Sequence, residues 1–311
     1  MESIHTNRHI TCLMAVFTFA NAAITLPAVS AGPIQMVTAL VLSFPVILAL
    51  NLLSLRFLGK AGFLAAKGFH KFLLAAGISL AAIAALFFAF CAVRDFAQLT
   101  KDEILPQTSD IIIVTLFALV VLALSVLGVQ AVLKFSLIVF PAIIILAAAL
   151  FLMALPQMNA KQLLPAGAQY LPPVQGTIKG YLSAFAPSLI LIPLIGANKP
   201  GGGRKGLLPG TLLGGGVLLL LLAHTLMIFG GDYAAQLKYP YLYAVSTVSA
   251  GELFFRMDGF TYAIYFFACL TKVAACICVA RMAAARMFKS QEKFVPPVCC
   301  AGIVMIYIFL R

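Results

Sequence analysis

VLKFSLIVFPAIIILAAALFLMAL, residues 132–155, contains one charged side chain, Lys134, and shows no alternation of polar and apolar residues. A helix needs about 20 consecutive apolar residues to cross a bilayer. The strands of a membrane β-barrel are shorter and alternate between apolar and polar positions. The stretch therefore predicts a transmembrane helix, and similar runs recur along the whole chain.

The composition supports the same fold class. Of the 311 residues, 63% are hydrophobic and 10% are charged, whereas soluble domains are about half apolar and a quarter charged. A soluble protein of this size cannot bury that much apolar surface. We predict a single all-α, polytopic transmembrane domain over residues 1–311, with spans at about 11–31, 34–55, 72–93, 111–128, 132–155, 180–197, 207–230, 258–284 and 294–310.

The distribution of basic residues predicts the orientation. In a soluble protein a net charge of +12 would suggest a nucleic-acid partner, but here the charge is divided among particular loops and indicates no such partner. Cytoplasmic loops are enriched in Lys and Arg. This rule predicts an integral inner (cytoplasmic) membrane protein with a cytoplasmic N-terminus. Basic residues of the predicted cytoplasmic loops include Arg56, Lys60, Lys67, Lys71, Lys199, Arg204, Lys205, Arg281, Arg286, Lys289 and Lys293.

The sequence contains no recognisable catalytic or metal-binding set. The seven cysteines lie in or beside apolar spans without the spacing of a zinc site, and no nucleotide-binding or triad motif is found. We therefore predict a protein that is not an enzyme and that has no cofactor and no metal site.

Proline interrupts two of the predicted spans, which lie five spans apart. Span 1 contains Leu26-Pro27, and span 6 contains Pro187 and Pro193. Proline breaks the backbone hydrogen-bond ladder of a helix, and broken helices at corresponding places in two halves are typical of inverted-repeat transporters. Half-helix N-termini can then face an anionic group such as the carboxylate of an amino acid.

Ionisable residues within spans are candidates for function because their insertion is costly. Lys272 lies in the middle of span 8 with no acid within one or two turns on its own helix, which implies a partner on another helix. Arg256 and Asp258 begin the same span, where a structural role is expected. His224 in span 7 is expected to be hydrogen-bonded and packed, and Gly210 with residues 214–216 to allow close helix approach.

Several short motifs resemble a known family by their order and spacing. They are Leu26-Pro27, Gly128-Val129-Gln130, Leu163-Leu164-Pro165, Pro193 before a basic loop, Tyr239-Pro240, Gly251, Phe255-Arg256-Met257-Asp258, Phe267 and Lys272. Together they resemble the B subunits of bacterial spore germinant receptors, also called spore germination permeases. These belong to the amino acid–polyamine–organocation superfamily.

The resemblance implies an inverted-repeat, amino-acid-transporter-like fold of five plus five helices, here with about nine spans and the tenth apparently missing. It implies a subunit in the spore inner membrane that binds a small germinant, typically an amino acid, and works with receptor A and C subunits and membrane lipid. The chain departs from the family at Ala20 and Ala22, where glycines are usual, and in lacking an acid at residues 184–187.

The expected site lies at the breaks of spans 1 and 6. The predicted ligand-binding residues are Asn21, Ala22, Thr25, Leu26, Ala184, Pro187 and Ser188, and the predicted structural or coupling residues are Pro27, Pro193, Arg256, Asp258 and Lys272. Two other functions remain open: a secondary transporter of amino acids that uses the same site, and a scaffold subunit that binds no ligand.

Overall fold

The computed structural model describes residues 7–22, 41–43, 45–52, 69–163, 186–196, 202–234, 236–248, 258–287 and 294–309. Every regular element in these ranges is helical. The α-helices are α1 (Asn7–Ala22), α2 (Val41–Leu52), α3 (Phe69–Glu103), α4 (Asp110–Val126), α5 (Val129–Ala154), α6 (Ile192–Gly196), α7 (Gly202–Ala234), α8 (Pro240–Ser246), α9 (Asp258–Met287) and α10 (Val295–Phe309). Short 3₁₀ segments cover Leu155–Gln157, Ala160–Leu163 and Ala186–Leu191.

The predicted class of polytopic helical membrane protein is confirmed. By length and composition four helical stretches can cross a membrane, at Ala76–Glu103, Val129–Gln157, Lys205–Gly231 and Asp258–Ala285. Shorter apolar helices occur at Val41–Leu52, Asp110–Val126 and Val295–Phe309. The relation of the two halves by an inverted repeat, like the individual membrane boundaries, stays a prediction.

Helix α9 forms the centre of the bundle. Its most apolar window is 78% buried, against 28% to 44% for the other three long stretches, and α9 packs against α1, α3, α4, α5 and α10. An aromatic cluster fixes its contact with α3 and α4: the Phe96 ring centroid lies 4.7 Å from that of Phe117 and 5.5 Å from that of Phe266. The central position of α9 buries most of its side chains, including Lys272, which is 7% exposed.

Helices α1 and α7 approach closely along a stripe of glycines. Gly206, Gly210 and Gly214 recur every fourth residue and therefore share one face of α7. A Cβ atom at Gly210 would lie 2.6 Å from the Thr11 carbonyl oxygen, and one at Gly206 would lie 2.6 Å from the Asn7 carbonyl oxygen. The predicted close helix approach is thus confirmed at Gly210 and Gly214, since even a methyl group would collide with α1. It is wrong at Gly216, where an added Cβ atom would meet no atom within 4 Å.

The connection between α4 and α5 depends on a glycine. Gly128 adopts φ 90°, a left-handed conformation that residues with a Cβ atom rarely adopt. Its backbone N–H donates to the Ser125 carbonyl oxygen at 3.1 Å. Arg281 of α9 donates to the Val126 carbonyl oxygen at 3.5 Å, which is a favourable place for a cation because helix C-termini carry partial negative charge.

Helix α7 is interrupted near its end by Gly230, which has φ 73° and ψ 170°. The regular acceptor pattern of the helix is lost there, and the Met227 carbonyl oxygen accepts a hydrogen bond from the backbone N–H of Asn159 at 3.0 Å. A backbone bond thus joins the turn after α5 to the kink in α7.

The two ends of the bundle differ in charge. The acidic end, as we call it, holds Asp102 and Glu103 at the end of α3, Asp110 at the start of α4 and Asp258 at the start of α9. The opposite end holds Arg281 and Lys205. Helix α3 continues to Glu103, well beyond the span expected to finish near residue 93. Asp95, which follows the predicted span, consequently lies inside this helix.

Candidate functional site

The residues predicted for the broken-helix site lie on two elements that pack together. Asn21 and Ala22 form the end of α1, and Pro187 and Ser188 belong to the 3₁₀ segment Ala186–Leu191, which contacts α1, α3 and α9. Pro193 is buried in α6, directly after this segment. The other predicted site residues lie outside the described residues; they are Thr25, Leu26, Pro27, Ala184 and Arg256.

Ser188 is held by a polar residue that the sequence analysis did not select. Asn51 of α2 donates from Nδ2 to the Ser188 hydroxyl oxygen at 3.1 Å, and both residues are at most 1% exposed. The Asn51 Oδ1 atom is buried and has no hydrogen-bond partner among the described residues. A buried amide oxygen without a hydrogen-bond partner destabilises the fold unless a further group donates to it.

Lys272 lies in the core, with 7% of its surface exposed. Among the described residues no carboxylate reaches ion-pair distance of its ammonium group, but the charge of Asp95 on α3 interacts with it through space. Asp95 itself is exposed at the surface of the bundle. The expectation that any partner of Lys272 would come from another helix stays a prediction. Asp258 is the first residue of α9, and its carboxylate accepts a hydrogen bond from the N–H of Gly259 at 3.1 Å.

A pocket lined by tyrosines opens at the acidic end. It is a small cavity of about 20 Å³. Three segments that are distant in sequence form its wall, together with the end of α1. The lining residues are Phe19, Leu99, Tyr239, Tyr241, Leu242, Thr261, Tyr262 and Tyr265. Phe19 lies one helical turn or less from Asn21, so the pocket adjoins the end of α1.

The segment over this pocket is fastened to α3 by polar contacts, which we call the latch. Asp102 accepts hydrogen bonds from Lys238 at 2.6 Å and from the Tyr239 hydroxyl at 3.0 Å, and Glu103 accepts one from the Tyr243 hydroxyl at 2.7 Å. The bond to Glu103, with some burial, raises the pKa of Tyr243 to about 12. Burial, followed by the bond to Asp102, raises the pKa of Tyr239 well above its usual value.

His224 lies behind the wall of the pocket. It is 1% exposed, and its ring lies between Phe151 at 6.4 Å and Tyr241 at 5.7 Å, measured between ring centroids. The packing role is as expected. The expected hydrogen bond is not found among the described residues, where neither ring nitrogen has a partner.

The sequence contained signals for the residues that were missed. Asn51 is an amide within an apolar run, and Tyr239, Tyr241 and Tyr243 alternate through a short segment. Tyr262 and Tyr265 are three residues apart and therefore share a face of α9. None of these signals says which segments meet, so the pocket emerges only from the packing.

In the described ranges no group of three His, Cys, Asp or Glu side chains is placed to hold a metal.

The fold and these sites can be compared with known proteins. No curated protein matches the chain. The family model of the spore permeases, described as spore germination protein, matches residues 6–311. This match covers nearly the whole chain and agrees with an all-helical structure that has several helices able to cross a membrane. The chain belongs to the spore germination protein family of spore permeases.

Proposed function

We propose that this germination-related membrane protein is the germinant-sensing subunit of a spore germination receptor, which binds an amino acid where α1 meets the 3₁₀ segment Ala186–Leu191. Family membership supports the role in germination. The observation that carries the ligand site is the open amide atom of Asn51 beside Ser188.

The argument rests on hydrogen-bond satisfaction. The Nδ2 atom of Asn51 faces Ser188, and its Oδ1 atom is left buried without a partner among the described residues. A ligand with an ammonium and a carboxylate group offers a donor for that atom. The segment that carries Ser188 packs against α1, the helix that leads into the predicted break.

Sensing requires that the ligand favour one conformation. A ligand shifts an equilibrium only by the difference in its affinity for the two states. A ligand that contacts two short helical segments, rather than one rigid helix, favours the arrangement of the segments in which both contacts form. The receptor A and C subunits would transmit the change. The proposed complex lies in the spore inner membrane, with the N-terminus of this chain in the cytoplasm.

The proposal is tested in spores that lack this gene. We expect the loss of refractility in response to one amino acid of a single-compound panel to disappear and to return on complementation. Complementation with Asn51→Leu should raise the required ligand concentration by about tenfold or more, as expected for a lost hydrogen bond to a charged group.

The control for this variant is Ser136→Ala. Ser136 is also fully buried, but its hydroxyl donates to the Leu133 carbonyl oxygen of its own helix. This change removes a buried polar group without touching the proposed site. If every germination response is unchanged in spores without the gene, or if Asn51→Leu responds like Ser136→Ala, the proposed site is wrong.

The charges of Lys272 and Asp95 favour amino-acid transport as the second candidate function. Transport coupled to an ion needs a protonatable or charged group within the membrane. Lys272 is a buried candidate for such a group, and the charge of Asp95 on α3 acts on it through space. Uptake of labelled amino acids into proteoliposomes separates the two functions. Concentrative uptake would favour the transporter, whereas binding without uptake would favour the sensor; a scaffold would show neither.

A further inference from the structure

A line of side chains on α3 faces away from the bundle. Leu80, Ile83 and Phe87 are 68%, 66% and 62% exposed. Arg94 is exposed as well, and Cys91 between them is partly exposed. Because an α-helix has 3.6 residues per turn, these five positions lie on one side of α3, and steps of three and four residues are the spacing with which one helix packs along another. We call these five residues the α3 seam.

The charge of Arg94 lies at membrane depth. The ion pair of Lys101 with Asp110, at 2.7 Å, joins α3 and α4 at the acidic end. Arg94 precedes Lys101 by seven residues, which is about 10 Å along the helix toward the middle of the bundle. Its neighbour Asp95 interacts through space with Lys272, in the middle of α9. Charged side chains at such depth nearly always face protein or a water-filled cavity, because facing lipid is costly.

The balance of charge around Arg94 determines the chemistry of a partner. Neither of the ion pairs found among the described residues involves Arg94. The charge of Asp95 acts on both Arg94 and Lys272, so two cations and one carboxylate leave one net positive charge, which a carboxylate on the partner would balance. A second copy of this chain is less suitable, because a twofold axis parallel to α3 would place Arg94 opposite Arg94.

We propose that the α3 seam binds a transmembrane helix of a partner protein that carries an Asp or Glu at the depth of Arg94. The apolar side chains of the seam pack against an apolar face of that helix. The guanidinium of Arg94, a planar fork of donors, holds the carboxylate in a bidentate pair. The seam shares no residue with the proposed amino-acid site, so this proposal stands independently of the proposed function, and its test requires no germination.

A synthetic helix tests the pairing directly. The purified protein is reconstituted in phosphatidylcholine vesicles with a peptide of about 23 Leu and Ala residues, which carries one Glu two turns from one end and one Cys a turn deeper. In a parallel pairing the peptide thiol meets Cys91, and oxidation with copper–phenanthroline joins the two as a disulfide. Matched peptides have Gln or Leu in place of Glu. At limiting peptide we expect the disulfide yield to be about threefold higher or more with Glu than with Gln, and lowest with Leu.

Three variants assign the result to the seam. Cys91→Ser should abolish the disulfide, and Arg94→Gln should lower the yield of the Glu peptide to that of the Gln peptide. Lys134→Gln is the matched control, because Lys134 is also an exposed cation in an apolar helix, but on α5; it should behave as the wild type does. Thermal unfolding checks that each variant is folded.

Three results would overturn the proposal. The first is an equal yield for the three peptides on the wild-type protein, as expected if Arg94 only reaches a lipid phosphate. The second is an unchanged yield in a folded Arg94→Gln protein. The third is a disulfide dimer of the protein through Cys91 in the absence of peptide, which would identify a second copy of the chain as the partner.

Discussion

The close contact of α1 and α7 predicts a large difference between two apparently equivalent glycine substitutions. A Cβ atom added at Gly210 would lie 2.6 Å from the Thr11 carbonyl oxygen and 2.7 Å from the Met14 Cβ atom. One added at Gly216, on the same helix, would meet no atom within 4 Å. Gly210→Ala should therefore force the helices apart, while Gly216→Ala should be accommodated without any movement.

The magnitude follows from the geometry. Carbon atoms in contact rest at about 3.5–4.0 Å, so α1 must retreat from Gly210→Ala by roughly 1 Å. Overpacking of this kind costs about 1–3 kcal/mol, against a gain of about 0.5–1 kcal/mol for Ala over Gly within a helix. We expect a net loss of about 1–2 kcal/mol for Gly210→Ala, and Gly216→Ala should be neutral or slightly stabilising.

The cysteines of α9 provide the assay. Cys269, Cys276 and Cys278 are at most 1% exposed and are free thiols, so a thiol-reactive fluorophore labels them when the bundle unfolds. In detergent the unfolding midpoint of Gly210→Ala should fall by roughly 2–6 °C relative to the wild type. If Gly210→Ala and Gly216→Ala unfold at the same temperature, the helices do not approach as closely as described, and the reasoning fails.

Three further predictions concern the charged and phenolic groups. Lys272→Met removes a charge that is 7% exposed; the variant should insert normally but lose the ligand response, and an unchanged response in spores would exclude Lys272 from the site. Asp102→Asn breaks the ion pair with Lys238, whose side chain is 60% exposed; the change should cost less than about 1 kcal/mol, and a larger loss in thermal unfolding would contradict a surface role. The bond to Glu103 that raises the pKa of Tyr243 to about 12 favours the folded state below pH 10, and this contribution should be lost as the pH rises from about 10 to 12. Ultraviolet titration should show one fewer late-ionising tyrosine in Tyr243→Phe, and identical curves would argue against the latch.

The fold class could be predicted from the sequence because hydropathy acts locally. A run such as residues 132–155 has to form a helix in lipid whatever its neighbours do, since no other structure satisfies its backbone. The spacing of Gly210 and Gly214 likewise predicted a close helix contact.

The rest depended on packing between distant segments. Hydropathy falls at Arg94 and Asp95, so the predicted span finished there, but the helix continues because polar residues at the end of a span can remain helical. The tyrosine pocket combines α1, α3, α8 and α9, and no local pattern specifies that meeting. Asn51 was overlooked because only its bond to Ser188 distinguishes it from other polar residues in helices.

The backbone bond from Asn159 to Met227 has a consequence for how the chain can be divided. It ties the first part of the polypeptide to the second, and the extensive contacts of α1 with α7 and of α3 with α9 do the same across the bundle. A cut between Leu163 and Ala186 would leave two pieces that still recognise one another through these surfaces. Co-expressed as separate polypeptides, residues 1–163 and 164–311 should reassemble in the membrane and purify together through a tag on either piece.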